Sequence, residues 1–343
     1  MSEEAAAGRS KLELWLGAFT GFYRPAVEDV RRLDAVSKFL YSARSVILVI
    51  SAQAAIIAGL LALAARKFDS LAFVLVLAGF VSAHMISNLS NDYFGYRRGH
   101  DTPDSPRMRY TVHPLASGVL DARTLLTGLA VVSAVGLGIM AFFIVERGWT
   151  AAAFAAAGVA LLFLYDAAPV PLKSIGLGEP AVFLVWGPLM IGGGYAMIAG
   201  EISSGAFYAS VPYGLGVMSI LVGKHIDQMD FDGGKKIGTL PVLLGERAAR
   251  ALNIATVALI YAVTAALIVA GRLTPFAAVI VFAFPRAWRA MELMSRPRPP
   301  KAPEGYVGWP LWYHRACLAH NRLFGWVYIL GLAGGAAWPN IRL

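Results

Sequence analysis

The sequence predicts an all-α polytopic membrane protein: nine transmembrane helices, with a helical segment at the membrane interface before the first of them. Three observations carry this expectation. Of 343 residues, 57% are hydrophobic and only 15% charged, too little charge for the surface of a soluble domain of this length. Apolar runs long enough for a bilayer-spanning helix, which needs roughly 17–25 residues, recur along the chain. Ala, Leu and Gly fill those runs without period-2 alternation, so helices rather than a barrel are expected to cross the bilayer.

Residues 1–43 read as a segment of their own. Within it, 11–43 mix aromatic, apolar and charged positions at helical spacing, which predicts an interfacial helix pair broken near Pro25. Residues 44–343 form the membrane domain. Its spans are expected at about 45–65, 70–88, 123–145, 149–165, 179–199, 206–223, 250–270, 274–292 and 322–340. The first apolar run begins near residue 45, too late for a cleavable signal peptide.

With a cytoplasmic N-terminus and alternating spans, Arg66, Lys67, Arg147, Arg272 and Arg342 fall outside. The other 25 of the 30 Lys and Arg residues then lie on the cytoplasmic side. This asymmetry predicts an integral protein of a bacterial-type inner membrane with its polar face in the cytoplasm. It also assigns the net charge of +9 to anionic lipid headgroups, with no role for nucleic acid. The one cysteine, Cys317, permits no internal disulfide, and no Cys/His cluster has zinc spacing. The C-terminal NIRL is not a prenylation signal. Nothing in the sequence sets an oligomeric state.

Two polar clusters interrupt this oily chain. NLSNDYFGYRRGHDTPDSP (88–106) follows the second expected span, and GKHIDQMDFDGGKKIGTLPVLLGE (223–246) follows the sixth. Equivalent placement suggests a duplicated plan, with two helix ends facing one cavity. Asn88 and Asp92 are four apart and Asp227 and Asp230 three apart, so each pair shares a helix face. Oxygen ligands without Cys or His favour Mg²⁺, which binds through a few carboxylates plus substrate phosphates. Asn88, Asn91, Asp92, Asp101, Asp227, Asp230 and Asp232 are the candidate metal ligands. Arg97, Arg98, Lys224, Lys235 and Lys236 among them oppose a bare cation but suit a metal–diphosphate. A lone acidic loop is usually only solvated; two at corresponding span ends favour a site, since ionisable groups near hydrocarbon are costly.

At these motifs the chain resembles the UbiA superfamily of intramembrane prenyltransferases over about residues 40–270. NLSNDYFGYRRGHD is similar to the first motif of its 1,4-dihydroxy-2-naphthoate polyprenyltransferase branch, NxxNDYxDYxKGxD. HPLASG (113–118) resembles the stretch after that motif. LYDAAPVPLKSIGLGE (164–179), with Gly187, Gly192–Gly194 and Tyr195, resembles the branch's YxxxPxxLKxxGLGE segment, and GTLPVLLGE the end of the second motif. The resemblance implies nine helices around a central cavity. It implies Mg²⁺-dependent transfer of an isoprenoid from a prenyl diphosphate to an aromatic acceptor, as in quinone biosynthesis. Asp92, Asp227 and Lys173 would then be catalytic, and Arg97, Arg98, Lys224 and Lys235 would bind the diphosphate. Two departures stand out. Gly95 occupies the place of the branch's central aspartate, for which Asn88, Asp92 or Asp101 would compensate. The second motif fits the usual DxxxD spacing imperfectly.

Other readings remain at this stage. Gly192–Gly194 permit close helix packing or leave room for a prenyl chain. Tyr93, Phe94, Tyr96, Tyr165, Trp186 and Tyr195 are packing or interfacial residues, with one or two able to face an allylic cation. His314 and His320, in an unmatched region (296–321), are candidates for acceptor contacts. The alternatives are a related transferase with another acceptor (4-hydroxybenzoate, a chlorin, haem) or a phosphoribosyl donor, and a non-catalytic lipid-phosphate binder or transporter.

Overall fold

The structure, a computed structural model, describes residues 8–20, 25–103, 105–306 and 308–341. Asp104, Arg342 and the residues just before Pro25 lie outside them, and with them part of the expected break in the N-terminal segment. Before the first long helix come α1 (Lys11–Thr20), α2 (Val27–Arg31) and α3 (Ala35–Ser42). Asp34 starts α3 by accepting the Ser37 N–H at 3.0 Å, which satisfies one of the helix's unpartnered donors.

Among the described residues, seven helical runs are long and apolar enough to cross a membrane. These are α4 (Ser45–Ala64), α5 (Ser70–Arg97) and α6 (Ala122–Arg147), then Trp149–Ala167, which contains α7 (Trp149–Leu162). Next comes Gly178–Ala199, which contains α8 (Gly178–Leu184) and α9 (Gly193–Ala199), followed by α10 (Ser204–Gly234). After the short α11 (Leu240–Leu244) the seventh is α12 (Glu246–Val269). All seven coincide with the first seven spans expected from sequence. Where the eighth was expected, a 3₁₀ stretch Pro275–Ala283 passes into α13 (Phe284–Met294). The ninth falls within α14 (Tyr313–Ala337), whose first ten residues, YHRACLAHNR, include two arginines, two histidines and an asparagine.

Two helices run further than their apolar stretches. Helix α5 continues through the first motif to Arg97, stopping just before Gly99 at φ 69°. Helix α10 continues through the second motif to Gly234, and Lys236 follows in a left-handed conformation at φ 57°. Residues 88–97 and 223–234, which no proline interrupts, therefore present their side chains from the last turns of long helices, whereas Asp101 lies in the loop beyond α5.

Two segments widen into π-helical turns. Phe163–Ala167 prolongs α7 until Pro169 and Pro171 stop it, and Val185–Gly192 contains Pro188, whose missing N–H cannot close an α-helical ring.

The chain divides into two compact units. The first comprises Met1–Val49, Val81–Leu137 and Pro299–Leu311. Its core has two parts: Leu14, Val30, Leu33, Val112, Val119 and Leu120, and Ala43, Met85, Leu89, Leu115 and Leu125. The loop 105–121 is thus packed rather than solvated.

The second unit comprises Ile50–Phe80, Gly138–Arg298 and Trp312–Leu343. Helix α10 is its hub, packing against α8, α11, α12 and α14. Gly192, Gly193 and Gly194 each admit an aromatic ring: a Cβ there would lie 2.6 Å from Phe207, 2.8 Å from Phe154 and 3.0 Å from Phe80. Their role is close packing.

The segment 172–178 docks on the end of the second motif. Gly238 donates its N–H to the Ser174 carbonyl at 3.0 Å, in an isolated parallel bridge between Ile175 and Gly238. A Cβ on Gly238 would lie 2.8 Å from that carbonyl oxygen, a backbone atom that cannot rotate away. Gly238→Ala is therefore expected to destabilise the protein by about 1–3 kcal/mol. Gly233→Ala, at a position with nothing within 4 Å, should be neutral or slightly stabilising. Thermal unfolding of the two variants in detergent, side by side, checks this.

Candidate functional site

The first motif, within the first unit, is built around a carboxylate with no solvent exposure, Asp92. A charge so placed near hydrocarbon requires pairing. Arg107 supplies it with both guanidinium nitrogens, Nη1 on Oδ1 and Nη2 on Oδ2, the latter at 2.7 Å. Arg44 adds Nη2 on Oδ1. Arg44 lies between α3 and α4 at φ 58°, a left-handed conformation uncommon outside glycine. Asn88, one turn before Asp92 and also buried, gives its amide to the Ala43 carbonyl at 3.0 Å.

Asp101 has a different partner. His113, fully buried, accepts the Leu115 and Ala116 N–H groups on Nδ1, each at 3.2 Å. The neutral ring therefore carries its proton on Nε2, which faces Asp101 Oδ2 at 3.3 Å. Burial acts to raise the Asp101 carboxyl, but the His113 hydrogen bond and the charge of Arg107 outweigh it and hold the group well below the usual carboxylate range. A Cβ built on Gly95 would overlap the Asp101 carboxylate. Here Asp101 fills the space that a side chain at 95 would occupy. Of the other expected residues, Asn91 is half-buried, Arg97 is exposed, and Arg98 lies over the Phe94 ring at 5.5 Å.

The second motif, within the second unit, holds its carboxylates in three ways. Asp227, buried, accepts the backbone N–H groups of Tyr313 at 3.1 Å and His314 at 2.9 Å. Asp230 is exposed. Asp232 is buried and faces the charges of His225, Lys224, Lys173 and Glu179. Lys173 pairs with Asp166, which the π-helical turn carries inward. Glu179, with no exposure, meets His225 Nδ1 at 2.7 Å. Lys235 is exposed and its ammonium lies 5.7 Å above the Phe231 ring.

The fit to a divalent cation follows from what each oxygen already does. Among the described residues no three His, Cys, Asp or Glu side chains come together as a ready metal site. Both oxygens of Asp92 are held by guanidinium groups and both of Asp227 by peptide N–H groups. Among the described residues no hydrogen bond occupies the carboxylates of Asp230 and Asp232. Two apart on α10, they leave the helix on different sides, Asp230 exposed and Asp232 buried. Of the two, Asp232 fits Mg²⁺, which commonly takes one or two carboxylates and completes its shell with water and phosphate oxygens.

Sequence reasoning missed Arg44, Arg107, Arg298, Asp166, Glu179 and the roles of His113 and His225. Signals existed for some: Glu179 ends the GLGE segment and His113 opens HPLASG. Arg44 and Arg107 stood among other basic residues with nothing local to single them out.

The chain is similar to known proteins in sequence and fold. A profile of the UbiA prenyltransferase family matches residues 53–314. The chain is similar to UbiA prenyltransferase domain-containing protein 1 of Dictyostelium discoideum, 30% identical over 162 residues, covering 46% of this chain and 48% of that one. The chain thus spans about half the length of that relative. It is 25% identical over 248 residues to the 1,4-dihydroxy-2-naphthoate octaprenyltransferase of Bacillus subtilis, covering 70% of this chain and 73% of the relative. Among solved structures, the apo UbiA homologue of Aeropyrum pernix K1 aligns with a TM-score of 0.60 at 19% identity, covering 82% of this chain and 97% of that one. A UbiA homologue of Archaeoglobus fulgidus bound to GPP and Mg²⁺ gives 0.58 at 14% identity, covering 87% and 99%. Likeness at such identities concerns the fold.

Two outcomes follow from this geometry. Arg107→Ala leaves a buried carboxylate with only Arg44, and is expected to cost about 3–5 kcal/mol in thermal or denaturant unfolding; pairing it with Asp92→Asn should recover much of that loss. Gly95→Ala expels the Asp101 carboxylate from its place and should cost about 1–3 kcal/mol. The double variant Gly95→Ala/Asp101→Ala should relieve that overlap, which the same unfolding measurement reads.

Proposed function

The chain belongs to the UbiA prenyltransferase family, and from that membership we propose that it transfers an isoprenoid chain from a prenyl diphosphate to an electron-rich aromatic acceptor. The proposed acceptor is 1,4-dihydroxy-2-naphthoate. The name of the Bacillus relative, aligned over 73% of its length, supports that choice, as do the motif likenesses at 88–101 and 164–179. The observation that carries the chemistry is the cluster of Asp232 with Lys173, Lys224 and His225 at the end of α10. It joins an open carboxylate to the ammonium groups of Lys173 and Lys224, the combination a metal–diphosphate needs.

Roles follow for this chain's own side chains. Asp232 would hold Mg²⁺, whose remaining ligands would be water and phosphate oxygens. When bound, the ion supplies positive charge against the diphosphate as the allylic carbon–oxygen bond breaks. Lys224 and Lys173 place ammonium charges where the leaving group gains its negative charge, and Asp166 and Glu179 hold Lys173 and His225 in position. Arg97, Arg98 and Lys235, at the ends of the two motif helices, draw the anionic substrate toward the membrane surface. The apolar surroundings keep water from the allylic cation. The topology we propose has nine spans, the eighth formed by 275–294 and the ninth within α14. The N-terminal segment lies at the membrane interface, and both motifs face the cytoplasm of a bacterial-type inner membrane.

Incubating purified protein with prenyl diphosphates and a panel of aromatic acceptors tests the reading. Product is expected with 1,4-dihydroxy-2-naphthoate and Mg²⁺, and none after EDTA. Asp232→Asn and Lys173→Ala should each lower turnover by about two orders of magnitude. Full turnover in metal-free enzyme, or no prenylated product with any acceptor, would sink it.

A further inference from the structure

Helix α14 begins without a cap of its own. Every α-helix leaves its first N–H groups without intrahelical partners, and a low-dielectric setting makes those orphans costly. The usual remedy is a Ser, Thr, Asp or Asn at the residue before the helix. Here that residue is Trp312, which makes no side-chain cap bond, and the preceding GWPL has no such residue either.

We propose that Asp227 is the missing cap: a positioning residue that seats the first turn of α14 on α10, and not a ligand of the divalent cation. The assignment rests on one face of α10, formed by residues 220, 223 and 227 at helical spacing. At 227 the carboxylate takes the Tyr313 and His314 N–H groups, one on each oxygen. At 223 the glycine lets the α14 backbone approach; a Cβ there would lie 3.1 Å from the His314 nitrogen and from the Tyr313 carbonyl carbon. At 220 the carbonyl lies 3.2 Å from His314 Nδ1, the ring nitrogen that donates to it.

Further bonds close the arrangement. Arg298 donates to the Asp227 carbonyl at 2.7 Å and stands 3.9 Å from its carboxylate. The Tyr313 hydroxyl donates to the Arg296 carbonyl at 2.8 Å. Asp227 therefore sets where α14 starts and where the His314 ring lies relative to Lys224, His225 and Arg322, whose charges it faces. Each Asp227 oxygen already accepts one peptide N–H, so a cation there would share the carboxylate with both amides and lie beside the Arg298 guanidinium, which stands 3.9 Å from Oδ1. That leaves cation binding in this motif to Asp232, the part of the inference that rests on the function proposed above.

Hydrogen exchange of the full chain in detergent, read by mass spectrometry over residues 312–318, tests the cap directly. Asp227→Ala should speed exchange of the Tyr313 and His314 amides by about tenfold or more, and Asp232→Asn should leave it unchanged. If Asp227→Ala does not fold, Asp227→Asn, which keeps one acceptor oxygen, should show intermediate exchange. Mn²⁺ titration with inorganic diphosphate present, followed by electron paramagnetic resonance, tests the metal without relying on turnover. Half-saturation should stay within about threefold of wild type for Asp227→Asn and rise about tenfold or more for Asp232→Asn. Unchanged amide protection in Asp227→Ala, or a tenfold weaker Mn²⁺ site in Asp227→Asn, overturns the proposal. Loss of prenyl transfer in the wild-type assay would reject the functional reading alone, because neither measurement here depends on it.

Discussion

A carboxylate buried at the end of a membrane helix must be neutralised or hydrogen-bonded on both oxygens, because the surroundings offer no bulk water to do it. Much of the described structure around the two motifs is arranged by that requirement. Asp92 meets it with two arginines, Asp227 with two peptide N–H groups and Asp166 with Lys173, while Glu179 has His225 on Oε1 alone. Each solution fixes a piece of backbone: Arg44 in its left-handed link, Arg107 in the loop after α5, the first turn of α14, and the segment between Asp166 and Glu179. Asp232 differs, being buried among charges that no direct hydrogen bond delivers to it.

Hydrogen bonds between polar groups, though none at the Asn321 side chain among the described residues, also link the long helices of the second unit. Its interior carries polar side chains, including Gln53, Asn253, His320 and Asn321, all without solvent exposure. Tyr213 lies 2.7 Å from the Ile50 carbonyl and 3.0 Å from the Gln53 amide oxygen. Asn253 donates to the Ser219 carbonyl at 3.1 Å, and Tyr261 meets His320 at 2.9 Å. Glycines make room for these bulky polar groups: the Gln53 amide lies where a Cβ on Gly325 would stand, within 2.8 Å. Small residues and interhelical hydrogen bonds do here what hydrophobic burial does in water, since lipid tails are as apolar as leucine.

Gly95 shows how this logic alters a motif. In the branch the chain resembles, an aspartate stands there; here the space belongs to the Asp101 carboxylate, oriented by His113. The turn after His113 donates two N–H groups to its Nδ1, so the ring is fixed from behind. HPLASG, in sequence only a stretch that follows the first motif, is the element that aims this imidazole.

The sequence by itself determined the class and much of the plan. Hydropathy located all seven runs that the structure shows long and apolar enough to cross a membrane, because span length depends only on local composition. Placement at two span ends located both polar clusters, and the resemblance of their motifs pointed to the family. The tertiary structure alone decided which charges meet. Arg107 and Asp92 are 15 residues apart, Arg44 and Asp92 48, and Asp227 and Tyr313 86. No local pattern encodes such pairs, and the 30 Lys and Arg residues offer many equivalent candidates. It also decided that Asp92 and Asp227, alike in sequence as acids at span ends, are already committed to arginine and to peptide N–H, while Asp230 and Asp232 keep their oxygens open. Composition fixes how many charges a chain carries; only packing fixes which of them are spent.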